Sequence, residues 1–475
     1  MHANLPLFIR ADNGVSLTDQ IVQSLASRID DKLLRAGARL PSIRRFAATH
    51  SVSAFTVVEA YDRLVARGYL ESRRNAGFFV RERAALTQLA PVAVARPQQM
   101  DVAWLVRNMV RELPAHKMPG GGLLPPDWLD AGLVANGLRA IGRQGVELLL
   151  NYGAPQGFLP LREQLQILLA GHEIACPPQQ IVTTSGVTQA LDLIARQFLQ
   201  PGDTVFVDDP SWFLMFGTFV SLGIRVVGIT RQADGPDLAQ LAELAALHKP
   251  KLFVINSVLH NPTSTSLSSA KAFQLLKLAE QFDFLLVEDD IYSDMHPGVH
   301  IQPAARLAAL DQLSRVIYLG GFSKTVSANL RVGFIATSPE RAQALADRKM
   351  LATLATTDIG ERIIHKILTE GHYRKHVERL RGRLEDVRAK TVRQMERAGL
   401  AILASSPAGM FVWTDAGRDT ARLAEQAFAR GFLLAPGALF SPSQLPSTKM
   451  RMNVAAMRDP ALWQFLAESC GGKLA

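Results

Sequence analysis

Residues 319–334 read LGGFSKTVSANLRVGF. An apolar run ends at Gly320 and Gly321, and one lysine, Lys324, follows among small and hydroxylic residues. Arg331 stands between that lysine and a second apolar run opening at Gly333. Two cations are therefore set in the connection between two expected strands. A lysine in such a place can be a solvated surface charge, a phosphate clamp or an amine that forms a Schiff base. The stretch by itself leaves all three open.

Working outward, short runs rich in Val and Ile alternate with longer helical stretches from about residue 116 onward. They are IVTTSG (181–186), TVFVDD (204–209), LFVINS (252–257), FLLVED (284–289), VIYLGG (316–321) and GFIATS (333–338). This alternation predicts an α/β unit built on a mainly parallel sheet. Beyond about residue 340 helical sequence dominates until AGMFVWTDAG (408–417) and KMRMNVAAM (449–457), which predict a small C-terminal α+β part. Ligands of open parallel sheets bind beyond the carboxyl ends of the strands, and chemistry-bearing residues collect at those ends here.

Asp289 closes the FLLVED run, and Tyr292 follows. A carboxylate at the base of a cleft can keep a pyridinium nitrogen protonated, and the tyrosine hydroxyl can bond a phenolic oxygen; a solvated acidic loop is the plainer reading. Ser185, Gly186 and Val187 lie between a strand and a helix. There free N–H groups and hydroxyls form an anion site or simply cap the helix. Arg331 can add charge to that site. Trp212 follows Asp209-Pro210 and offers a face for stacking or for core packing. Asn261-Pro262 is either an amide aimed at the same phenolic oxygen or an Asn-Pro turn.

The front of the chain has another texture. SLTDQIVQSLASRIDDKLL (16–34) carries helical apolar spacing at Leu17, Ile21, Leu25 and Ile29. LPSIRRFAATH (40–50) starts a short helix with Ser42 as its cap, and SVSAFTVVEAYDRLVARG (51–68) gives another, capped by Ser53 and ended by Gly68. GYLESRRNAGFFV (68–80) reads as two short strands joined by a turn over Arg73–Gly77. These elements make a winged helix-turn-helix. A helix of this kind fits the DNA major groove with its N-terminal residues toward the base edges. Ser53 and Thr56 suit phosphates, Arg44 reaches the backbone or a base, and Arg73, Arg74 and Gly77 set the wing near the minor groove. Residues 1–83 hold 13 Lys and Arg against 8 Asp and Glu, an excess consistent with phosphate contact. Each arginine singly also reads as part of a solvated face.

Between these parts, RERAALTQLAPVAVARPQQM (81–100) is rich in Ala, Pro and Gln without sustained period. The expected organisation is a DNA-binding domain over residues 1–82, a linker over 83–115 and an effector domain over 116–475. The whole has 475 residues, 48% hydrophobic and 20% charged, with a formal net charge of +9, the composition of a globular protein. Cys176 and Cys470 stand far apart and make neither a disulfide framework nor a zinc site, so no metal is expected and a reducing cytoplasm is. The opening MHANLPLFIRADNG has no apolar run flanked by basic residues, and no stretch has the ~18 apolar residues of a span. No secretory leader and no membrane partner are expected.

Taken in order, S-G-x-x-Q (185–189), D-P-x-aromatic (209–212), N-P-T (261–263), D-x-x-Y (289–292), S-K (323–324) and Arg331 resemble the fold-type I aminotransferases that bind pyridoxal 5'-phosphate. The resemblance runs over roughly residues 116–470. It implies that Lys324 carries the cofactor as a Schiff base and that Asp289 pairs with the pyridine nitrogen. It implies further that Tyr292 and Asn261 bond the ring oxygen, that Trp212 stacks on the ring, and that Ser185, Gly186, Val187, Ser323 and Arg331 cradle the phosphate. Arg451 matches the arginine that binds a substrate carboxylate. Tyr152 matches the tyrosine that reaches the neighbouring subunit's phosphate site, which implies a homodimer. One departure stands out: the family often has Ser-Phe-Ser-Lys where this chain has Gly321-Phe322-Ser323-Lys324. A hydroxyl is lost, worth about 1.5–3 kcal/mol as a charge-assisted hydrogen bond.

Residues 14–81 resemble the GntR family through L-P-S-x-R, V-S-x-x-T-V and G-Y-L with a glycine in the wing. Many relatives carry Arg-Asn after V-S, where an arginine can read guanine; here Ala54-Phe55 stand instead. Base reading then falls to Arg44 or to apolar contact with thymine methyls. The order of the two parts resembles the MocR subfamily of regulators. It implies a cytoplasmic homodimer that binds double-stranded operator DNA, senses a small amino compound or a vitamin B6 form through pyridoxal phosphate, and is no enzyme. Two other readings stay open: a working aminotransferase with a DNA-binding appendage, and a cofactor-free dimerisation platform.

Overall fold

The computed structural model describes residues 14–74, 76–81, 113–145, 150–297, 304–404 and 406–472. The opening segment through residue 13 and the expected linker up to residue 112 lie outside the described residues. The chain divides into two compact units, residues 1–97 and 98–475.

Among the described residues the smaller unit is three helices and a hairpin. α1 (Leu17–Asp30) is capped by Ser16, whose hydroxyl accepts from the Asp19 N–H. α2 (Ile43–His50) and α3 (Ala54–Ala66) are capped in the same way by Ser42 and Ser53. Gly68 at φ +72° lets the chain leave α3, a conformation glycine adopts without strain. β1 (Leu70–Arg73) and β2 (Gly77–Val80) pair antiparallel with Arg73 opposite Gly77. The expected apolar stripe of α1 faces inward through Ile21 and Leu25, which meet Phe46 of α2 and Tyr61 and Leu64 of α3; all five are 0% exposed. Tyr61 lies edge-on to Phe46 and Phe78 and donates its hydroxyl to the Pro41 carbonyl at 3.1 Å. That bond satisfies the hydroxyl that the burial of Tyr61 removes from water.

The larger unit is built on β3 (Ile181–Thr184), β4 (Thr204–Asp209), β5 (Arg225–Gln232), β6 (Gly235–Pro236), β7 (Leu252–Ile255), β8 (Leu285–Asp289), β9 (Val316–Gly321) and β10 (Gly333–Ala336). Their spatial order is β3-β10-β9-β8-β7-β4-β5-β6. β5, β4, β7, β8 and β9 pair parallel, whereas β10 runs antiparallel to both β3 and β9. The sheet is mainly parallel, as expected, with one reversed strand inside it. That reversal positions the site. The end of β9 and the start of β10 lie at one sheet edge, so Lys324 and Arg331 are brought to the edge where β3, β4, β7 and β8 also end. β5 was not expected: RVVGITRQ mixes charges and a glycine with its apolar residues and has only one fully buried position.

A second, four-stranded sheet follows, ordered β11 (Ala401–Ile402), β12 (Phe411–Asp415), β14 (Lys449–Asn453) and β13 (Ala435–Pro436). This is the small α+β part expected from the sequence. The long helix His372–Arg397 is tied to it by Arg388, which donates to the carbonyls of Ser406, Gly409 and Phe411. Among the described residues no helix is long and apolar enough to cross a membrane.

Leu25 is wholly buried in the smaller unit, so Leu25→Ala should destabilise that unit by about 2–5 kcal/mol. Hydrogen exchange on the full chain checks this. Amides of α1–α3 should exchange faster, and those of β7–β9 should not change.

Candidate functional site

One cleft at the carboxyl edge of the large sheet is lined by Val187, Thr188, Trp212, Asn261, Asp289, Ile291, Tyr292, Ser323, Lys324 and Arg331. Eight of these were expected from the sequence; Thr188 and Ile291 were not. The elements explain the gathering. Asp289 is the last residue of β8, Lys324 lies just past β9, and Val187 sits in the first turn of the helix Gly186–Phe198 that follows β3.

The cleft concentrates buried charge. Burial drives the Lys324 amine down to about 8, helped by the positive charge of Arg451 and opposed by Asp289. The Lys324 amine donates to the Gly122 carbonyl at 3.1 Å. Burial likewise pushes the Asp289 carboxyl up to about 6, against the N–H of Ile291 and the amide of Asn256. Asn256 Nδ2 donates to the Asp289 carbonyl at 2.6 Å, and Arg231 Nη1 donates to the Asn256 carbonyl at 3.1 Å and to Asp208 at 2.9 Å. Thus Asp289 is held by a buried chain that begins at Arg231. Neither residue was singled out from the sequence, because each stands in an ordinary strand end with no local motif.

Arg451 is 1% exposed. Its guanidinium lies 4.4 Å from the Phe411 ring and 4.9 Å from the Phe440 ring. One nitrogen donates to Asn261 Oδ1 at 2.9 Å and another to the Gly120 carbonyl at 2.6 Å, while Nε has no partner. Asn261 in turn donates to the Tyr292 hydroxyl at 3.3 Å, so the amide bridges Tyr292 to Arg451. Burial holds Arg451 down to about 10 and raises Tyr292 far above the usual phenol range. The run Gly120-Gly121-Gly122 completes the wall: its three carbonyls accept from Arg451, Asn453 and Lys324 in turn. A Cβ at Gly120 would lie 2.3 Å from the Ala435 nitrogen, so the approach requires glycine. The triple glycine was a visible signal in the sequence that motif reading passed over.

The anion end is built around Arg331, whose backbone takes φ +52°, a region few non-glycine residues enter. Its guanidinium donates to the Ser185 carbonyl at 2.7 Å. Gly186 is at φ +74°, and a Cβ there would fall 2.6 Å from that guanidinium. The Ser185 N–H donates to Gln189 Oε1 at 2.6 Å. At Gly321 a Cβ would lie 3.2 Å from the Val332 carbonyl and 3.3 Å from the Gly333 Cα, so the position that lacks the hydroxyl is also crowded by β10. Tyr152 is not brought into the cleft; it is 83% exposed.

In the smaller unit the Ser53 hydroxyl accepts from the Thr56 N–H at 3.0 Å and lies 2.7 Å from the Thr56 hydroxyl. Arg44 and Arg74 are exposed. Arg73 is held back: it donates to Glu71 at 2.7 Å and its guanidinium sits 4.5 Å from the Phe79 ring. Gly77, at φ +95°, forms the wing's turn beside Arg39.

The depressed Lys324 amine gives a pH test. Its folded value lies below its ordinary 10.5, so the unfolded chain binds more protons between about 8 and 10.5, and stability rises with pH there. Lys324→Met, which removes the buried cation, should therefore be more stable than the parent at pH 7. The difference should shrink as pH climbs from about 8 toward 10.5. Urea unfolding of both proteins without added ligand checks it.

Residues 125–468 match the family of class I and II aminotransferases, and residues 17–80 match the bacterial regulatory proteins of the gntR family. An uncharacterized HTH-type transcriptional regulator, YisV of Bacillus subtilis, is 27% identical over 94% of this chain and 94% of its own. The probable rhizopine catabolism regulatory protein MocR of Rhizobium meliloti is 26% identical over 79% of this chain and 76% of its own. Among solved structures, the Pyrococcus horikoshii kynurenine aminotransferase in complex with PMP superposes with a TM-score of 0.70 at 27% identity, covering 78% of this chain and 94% of that one. Two families thus meet in one polypeptide, each over the unit that has its architecture. The chain belongs to the class I and II aminotransferase family and carries a GntR-family DNA-binding head, the organisation of the MocR-like regulators.

Proposed function

We propose that this chain is a transcription regulator that binds operator DNA through residues 1–82 and senses an amino compound or a vitamin B6 form through pyridoxal 5'-phosphate held by residues 116–475, with 83–115 as the linker. The observation that carries the sensing half is the meeting of a desolvated amine, a desolvated carboxylate and an anion-binding helix start in one cleft. The residues fit the cofactor. The amine has a value near neutrality, which favours a nucleophilic lysine. Gly186 leaves open the space a Cβ would fill beside Arg331. When bound, the cofactor supplies an electron sink.

In this reading Lys324 is the attachment point. Asp289, ionised at neutral pH, holds a proton on the ring nitrogen, and Arg231 and Asn256 keep it in place. Tyr292 and Asn261 bond the ring oxygen, and Trp212 covers the ring face. Ser185, Gly186, Val187, Ser323 and Arg331 hold the phosphate, with Arg331 and backbone N–H groups making up for the hydroxyl missing at Gly321. Arg451 takes the effector's carboxylate. Its unpartnered Nε is a buried donor in want of an acceptor. Tyr152, exposed in the single chain, serves the partner's phosphate site in a homodimer. The protein works in the cytoplasm on double-stranded DNA, with Arg44, Ser53, Thr56, Arg73, Arg74 and Gly77 on the duplex. To move the two heads from a 1:99 to a 99:1 population, the effector must prefer one arrangement by about 5.5 kcal/mol.

A second reading is supported by the same intact cleft and by the likeness to a working aminotransferase. There the chain turns over amino acids as well as binding DNA. Steady-state release of a keto acid separates the two: the regulator reading expects none.

The first test is the absorption spectrum of the protein with added pyridoxal phosphate. The parent should show a protein-bound cofactor band at the edge of the visible, and Lys324→Ala should lose it while its far-ultraviolet circular dichroism is unchanged. A parent without such a band returns the large unit to the role of a cofactor-free platform.

A further inference from the structure

We propose that α3 reads thymine through its 5-methyl group, with Phe55 as the reading side chain and Val58 beside it. The inference rests on the DNA-binding reading of the smaller unit and names the sequence chemistry that the unit selects. Phe55 is 78% exposed and Val58 37% exposed. They stand three apart on one helix, so they share a face. Ala54 is exposed as well. Phe55 falls in the first turn of the second helix of the helix-turn-helix, the turn that meets the base edges in this motif.

What α3 lacks matters as much. Base edges are read by the long donors Arg, Lys, Asn and Gln, by carboxylates that accept from cytosine, by Ser or Thr hydroxyls, or by apolar contact with the thymine methyl. α3 has the sequence AFTVVEAYDRLVA; its one long donor is Arg63, near its far end, and its carboxylates Glu59 and Asp62 stand past the first turn. Arg63 is turned to other work: it pairs with Asp19 at 2.9 Å and with Glu59 of its own helix. Glu59 also accepts from Thr18 of α1 at 3.4 Å. The hydroxyls of Ser53 and Thr56 are engaged with each other in the helix cap. The first two turns therefore offer the groove a ring and methyl groups and no long donor. Arg44 and Arg45 on α2 and Arg74 on the wing are exposed and supply the charge that draws phosphates. Phosphate contacts position a protein without telling bases apart. An exposed apolar face on a unit that also presents cations is suited to a duplex rich in thymine, whose C5 methyl is the apolar group of the major groove.

The test uses the full-length protein and a duplex pool with a randomised core. The most enriched duplex is resynthesised with uracil in place of thymine, which deletes only the methyl groups. The parent should bind the uracil duplex more weakly, by roughly fourfold for each contacted methyl. Phe55→Ala, an exposed position whose loss leaves the core intact, should bind the thymine duplex less well and no longer distinguish the two duplexes. Equal binding of both duplexes by the parent overturns the inference and leaves DNA binding standing. A Phe55→Ala protein that still prefers thymine, or that loses affinity for both duplexes equally, overturns the assignment to Phe55. A pool from which nothing is enriched removes the DNA-binding reading itself, and the inference with it.

Discussion

The guanidinium of Arg451 sets the terms for the larger unit. At 1% exposure, a cation is costly unless its hydrogen bonds are met. Holding it brings four distant segments together: the glycine run at 120–122 and the Asn-Pro turn at 261–262, which accept its hydrogen bonds, and Phe411 and Phe440, whose rings flank it. The small sheet, the N-terminal glycine loop and the large sheet are thereby fixed to one another. The same charge bears on Lys324 and lowers its amine. The cleft is therefore a single electrostatic unit, in which removing one member alters the protonation of the rest.

Topology does the remaining work. Because β10 is reversed between β3 and β9, one connection delivers both a lysine and an arginine to the edge where the parallel strands end. Arg331 takes a left-handed backbone there and is tied to the loop after β3. Gly186 gives it room. Strain of this kind survives only where the surroundings hold it, and it gathers at functional sites.

Much of this could be read from residues alone. The caps at Ser42 and Ser53, the apolar stripe of α1 and the hairpin turn at Arg73–Gly77 are local signals, and the structure has them where the sequence implied. Asp289, Asn261, Tyr292, Trp212, Val187, Ser323, Lys324 and Arg331 share a cleft because each follows a strand of one sheet. β5 escaped because it lies near the sheet's margin, where one face meets partial solvent and the apolar run is diluted. Asn256 and Arg231 escaped because their contacts are between strands: nothing in INS or in TRQ shows that a carbonyl in one will receive a guanidinium from the other.

The sequence by itself determined the composition of the parts: a capped helix-turn-helix with an apolar first turn at Ala54-Phe55, and an alternating α/β chain whose strand ends carry a lysine, a carboxylate and arginines. Periodicity and capping are decided within a few residues, so they are written locally. Only the tertiary structure decided which of those groups lose their water. Desolvation depends on what packs around an atom from far along the chain. It is that packing which turns Lys324 into a weakly basic amine, Asp289 into a weak acid and Arg451 into a buried cation with one donor to spare.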